Sequence, residues 1–86
     1  MEYVLKAGML AFYDTIGSGL VPIKVLAIGK DGDDLTARVK VTATRKAYHA
    51  GEVLNIRPRL NVVARDQVYV RSGHFRIRGR TEFIVG

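Results

Sequence analysis

Tyr69, Arg71, His74, Arg76 and Arg78 fall within ten residues of one another, spaced mostly at every second position. Guanidinium groups carry a permanent positive charge, a fork of donors matched to phosphate or carboxylate, and a plane that stacks on bases. Alternated with an aromatic ring on one strand face, they combine phosphate neutralisation with a stacking platform, the chemistry of nucleic-acid binding. Arg57, Arg59, Arg65 and Arg80 extend the same cationic inventory, and Arg45 and Lys46 join Tyr48 and His49 in a compact basic-aromatic cluster. The ordinary alternative is that Tyr69 covers arginine stems by cation–π contact and stabilises its own strand without any ligand.

Catalysis has little to work with. A Ser or Thr nucleophile needs a base that is itself oriented, and nothing ties His49 or His74 to Ser18 or Ser72. The acids gather at Asp31, Asp33 and Asp34, without the closing glutamate of an EF-hand loop and without a carboxylate facing them across a cleft. No set of His, Cys and acidic residues has the spacing of a zinc site. The G-S-G of residues 17–19 lacks the Lys-Ser/Thr that ends a phosphate-binding loop. The expectation is a non-enzymatic protein with no cofactor or metal.

The chain has 86 residues and a formal charge of +6, and the charge is unevenly placed. Residues 1–43 hold five cations and five acids, whereas residues 44–86 hold nine cations against three acids. An excess confined to one half suggests a polyanion or an acidic protein surface as partner. There is no cysteine, so neither a disulfide framework nor a thiolate metal site is available. No signal peptide and no membrane-spanning run is visible. A cytoplasmic protein, in a host cell or a virion, is expected.

Strands must position these residues, since no helical periodicity of convincing length appears. Val68–Arg80 alternates apolar and polar residues on both sides of Ser72-Gly73, as a β-hairpin does. A two-residue loop there sets Val70 opposite Phe75 and Val68 opposite Ile77 on an expected core face. Tyr69 then faces Arg76, Arg71 faces His74 and Gln67 faces Arg78 on the other. Asp31-Gly32 signals a second hairpin, with Ile28 opposite Leu35 and Leu26 opposite Ala37. Leu35, Ala37, Val39, Val41 and Ala43 line one side of its second strand in strict alternation. Residues 3–13 read as extended structure around Gly8, 14–19 as a loop and 44–52 as a connection. Short strands follow at 53–56 and, after a bend at Pro58, at 60–64, and Phe83 to Val85 could add a last one.

Five to seven short antiparallel strands in one small domain, with residues 1–19 as an N-terminal extension, predict an all-β, partly open barrel. The layout of a Gly-rich loop, K-V-L-A-I strand, tight D-G hairpin and basic hairpin resembles the SH3-like barrels and their Tudor and KOW relatives, over residues 20 to 80. The strand-rich, basic makeup also resembles small phage-encoded proteins. No functional residue is carried over from these resemblances. Two functions are expected from the residues themselves. One is nucleic-acid binding through Tyr69, Arg71, Arg76 and Arg78, extended by Arg57, Arg59, Arg45 and Lys46. The other is a structural or docking subunit of a larger assembly such as a phage particle, joining copies of itself or other proteins through its apolar ends.

Overall fold

The structure, a computed structural model, describes residues 2–79 and 81–85. Among the described residues nine strands form three sheets: β1 (Glu2–Leu5), β2 (Leu10–Thr15), β3 (Gly19–Asp31), β4 (Asp34–Val41), β5 (Val53–Ile56), β6 (Val62–Ala64), β7 (Val68–Arg71), β8 (His74–Ile77) and β9 (Glu82–Val85). The main sheet has the order β5-β4-β3-β2-β6, β1 pairs with β9, and β7 pairs with β8. The chain is therefore all-β, but none of the sheets closes into a barrel. The strands exceed the five to seven expected, and one pairing, β1 with β9, is parallel. No helix among the described residues is long and apolar enough to cross a membrane.

The core lies on one face of the main sheet. Along β4, Leu35, Ala37, Val39 and Val41 are buried while Arg38 and Lys40 are exposed, which is the period-two alternation read from the sequence. Val21, Ile23 and Val25 of β3 and Ala11 of β2 complete that face, and Leu5 of β1 and Phe83 of β9 close over it. The first and last strands thus form a lid on the core. A bulge between Val25 and Ala27 interrupts the β3 ladder. There, Gly8 N–H donates to Val25 O (2.7 Å) and Val25 N–H donates to Met9 O (2.8 Å), which ties the β1–β2 turn to β3.

Several local expectations are corrected. The acidic hairpin turns at Gly32-Asp33, not Asp31-Gly32, so Ile28 faces Ala37 and Lys30 faces Leu35. The glycine, at φ 64, takes the first central position, the glycine-first arrangement of a type II′ turn. Residues 14–19 are no open loop, because β2 runs to Thr15 and pairs with Gly19 across a three-residue turn. Thr15 Oγ1 secures that turn by donating to Gly19 O (2.7 Å) and accepting from Ser18 N–H (3.1 Å). After Pro58 the chain makes one helical turn, α1 (Pro58–Asn61), so Leu60 and Asn61 are not strand. Proline at the first helical position loses no hydrogen bond there, which is why it starts a turn and does not merely bend a strand.

Candidate nucleic-acid interface

The β7–β8 hairpin has the register read from its sequence: Val68↔Ile77, Tyr69↔Arg76, Val70↔Phe75 and Arg71↔His74. Ser72 (φ 52) and Gly73 (φ 77) both adopt the left-handed conformation that a type I′ turn demands. That turn matches the natural twist of the two strands. Period two then places Tyr69, Arg71, Arg76 and Arg78 on one face.

Gln67 fixes the root of the hairpin. Its carbonyl accepts from Arg78 N–H (2.6 Å), and its buried side chain donates from Nε2 to the Tyr3 hydroxyl (2.9 Å). The Tyr3 hydroxyl in turn donates to Asp66 Oδ1 (2.5 Å). This bond to the Asp66 carboxylate raises the Tyr3 pKa above the ordinary phenol value, and desolvation adds to the effect. A Cβ at Gly79 would lie 2.8 Å from Gln67 Oε1, so a side chain there would require the Gln67 amide to shift.

The arginines divide into two kinds. Arg71, Arg76 and Arg78 are exposed, and none has a carboxylate within ion-pair distance among the described residues. Arg78 lies over the Tyr69 ring, 5.4 Å from its centroid. One face of that ring therefore holds a guanidinium in place, so the cation–π contact weighed from the sequence is made; it narrows Tyr69 as a platform for bases. Arg57, by contrast, bridges Asp31 (2.9 Å) and Asp34 (3.1 Å) at the tip of the β3–β4 hairpin. These two acids shift its pKa further upward. Arg59 donates to Asp33 O (3.0 Å) at the same tip. Arg57 and Arg59 are thus engaged at the acidic turn, and Arg59 also lines a groove with Ile77 and Gly79.

The third cationic group also stands apart. Arg45 bridges to Tyr48 and donates to Thr44 O (2.8 Å), and Lys46, in a left-handed conformation, donates from Nζ to Gly17 O (3.1 Å). Tyr48 meets Tyr13 edge to face at 5.6 Å. Burial, reinforced by Tyr48, pushes the Tyr13 pKa up. Lys46 thus ties the connection to the β2–β3 turn, while the contacts of Arg45 stay within the connection. Arg80 lies outside the described residues.

One expectation fails in an informative way. The apolar face of the hairpin is not core: Val70 is 63% exposed, Ile77 44% and Phe75 39%, and no residue of β7 or β8 joins the core cluster. Its aromatic contact with the body is Phe75 on Phe12, with centroids 5.2 Å apart. The hairpin is an arm with one basic face and one open apolar face. No family model, curated protein or solved structure matches the chain.

Proposed function

We propose that the protein is a non-enzymatic nucleic-acid-binding module whose contact element is the β7–β8 arm. The observation that supports this most is the set of three exposed arginines on one face, none neutralised by an acid of the described chain. Forked guanidinium donors suit phosphate oxygens, and a two-stranded ribbon has the width that a B-form major groove admits. Arg78, held against Tyr69, loses less side-chain freedom on binding than a free arginine would. The test is titration of labelled duplex and single-stranded DNA and RNA at low and moderate salt. Binding whose logarithm falls linearly with log salt is the expected result; no binding to any of the four probes at low salt sinks the proposal.

A second reading, a structural subunit of a larger assembly such as a phage particle, is favoured by the open apolar face of the arm. Two-stranded hairpins are marginal in water unless a further layer covers them, and Val70, Phe75 and Ile77 leave that layer incomplete. The two readings use opposite faces of one element and are compatible. Both suit a cytoplasmic or virion setting.

A further inference from the structure

Residues 1–43 carry five cations and five acids, yet the fold sorts them. Ile23 and Val25 of β3 and Val39 and Val41 of β4 point into the core, so Lys24 and Lys40 between them point to the outer face of the main sheet. The register sets Lys24 directly opposite Lys40. Side chains so opposed have Cβ atoms about 5 Å apart, and like charges there destabilise the pair. Arg38, two residues along β4, adds a third cation about 7 Å from Lys40. All three are exposed, and none has a carboxylate within ion-pair distance among the described residues. The acids of these strands stand at the ends of the face. Asp31 and Asp34 are taken by Arg57 at the hairpin tip. Asp14 pairs with Leu20, four residues of β3 from Lys24 and so about 13 Å away. The central cations have nothing of their own chain to relieve them.

A groove adjoins the cluster. Leu10 of β2 is the cross-strand neighbour of Lys24, and Phe12 is that of Pro22. Thr42, two residues beyond Lys40, donates its N–H to Pro22 O (3.0 Å). Leu10, Phe12, Pro22 and Thr42, with Arg65 after β6, stand in the walls of a space of about 180 Å³. An apolar cavity of about 150 Å³ is enough to hold one aromatic ring. Arg65 is exposed and has no ion pair among the described residues, so it adds a fourth uncompensated cation. Three cations in a triangle suit a phosphate better than a carboxylate. A phosphate brings a charge of about −1.5 to −2 and three acceptor oxygens, one for each of Lys24, Lys40 and Arg38, whereas a carboxylate has only two oxygens.

We propose that Lys24, Lys40 and Arg38 bind a phosphate group of a small ligand on the outer face of the main sheet. The same chemistry could come from free pyrophosphate or from a nucleoside diphosphate. The adjoining groove favours the nucleotide, whose base ring it would take beside Leu10 and Pro22. This site is independent of nucleic-acid binding by the arm. The apolar face of the arm rests on Phe12, which lies on this side of the sheet, so the basic face is turned away. A duplex held by that face stands off the sheet by a strand layer, about 10 Å.

The experiment is a titration of isotope-labelled, nucleic-acid-free protein at low salt with ADP and, separately, with pyrophosphate, followed by amide chemical shifts. The wild type is compared with Lys24→Gln/Lys40→Gln and with Arg76→Ala/Arg78→Ala; all four positions are exposed, and the unperturbed amides of each variant report its fold. Both probes should give saturable changes around Lys24, Arg38 and Lys40. ADP should bind the tighter and should also move Leu10 and Thr42. The lysine variant should weaken both probes about tenfold or more, and the arm variant should bind as the wild type does. Equal binding of the two probes would assign free pyrophosphate as the ligand and take the groove out of the site. No change around Lys24, Arg38 and Lys40 at several millimolar of either probe overturns the inference, as do changes that the lysine variant retains. Changes confined to the arm overturn it too, since they assign the phosphate to Arg71, Arg76 and Arg78.

Discussion

Replacing Arg76 and Arg78 together with alanine, beside Arg57→Ala as a control, separates arginines without an ion pair from one that acids of its own chain engage. Each duplex phosphate neutralised contributes about 0.9 to the slope of log affinity against log salt. The three guanidiniums of the arm allow at most three such contacts from that element, a slope of about −2.7 and a loss of about 40-fold in affinity between about 50 and 200 mM salt. The double variant retains Arg71 alone, so its slope falls to about −0.9 and its loss over the same range to about 3.5-fold. Arg57 is occupied by Asp31 and Asp34, so Arg57→Ala should leave the slope unchanged. Its ion pairs are exposed and screened by solvent, so their loss should change stability little. Fluorescence anisotropy with a labelled duplex, at protein concentrations low enough to keep it monomeric, gives all three slopes. If Arg57→Ala flattens the line as much as the arm variant does, the division of the arginines into two kinds is refuted.

Two further outcomes concern the scaffold that carries the arm. Val39 is fully buried at the centre of β4, and Val39→Ala should cost about 2–3 kcal/mol from the two methyl groups lost and the space they leave, read from denaturant melts. Tyr3 has a folded-state pKa above its ordinary value of 10.0. Its contribution to stability is therefore fully present below pH 10 and is lost as pH rises through the folded-state pKa. Tyr3→Phe should shrink the alkaline loss in a stability profile measured upward from pH 9, and an unchanged alkaline limb would show that the bond to Asp66 does not couple to folding.

Where the chain pairs with itself locally, the sequence was readable. Alternation around Ser72-Gly73 sets every pair of the β7–β8 register, and alternation along β4 names its buried side chains. Alternation says which side of a strand is apolar, however, and not whether another layer covers it; Val70, Phe75 and Ile77 therefore look like core until the fold is seen. In the acidic hairpin both Asp31-Gly32 and Gly32-Asp33 are good turn pairs, and the choice depends on the bulge that sets Leu26 out of register. Long-range placement left no trace. Nothing in the sequence pairs Arg57 with acids more than twenty residues earlier, and nothing joins β1 to β9 across almost the whole chain. For that reason the ion pairs of Arg57 and the β1–β9 register, which sets Glu2 beside Glu82, have no signature in the sequence.

The most direct measurement is a map of amide chemical-shift changes as duplex nucleic acid is added to isotope-labelled protein at low salt. The arm should respond first and most, with the largest changes from Tyr69 to Arg78, while the β3–β4 tip at Asp31–Asp34 and the Arg45–Tyr48 connection stay nearly still. Changes concentrated at that tip or connection, or none at any residue, would contradict the assignment of the β7–β8 arm as the nucleic-acid-binding element.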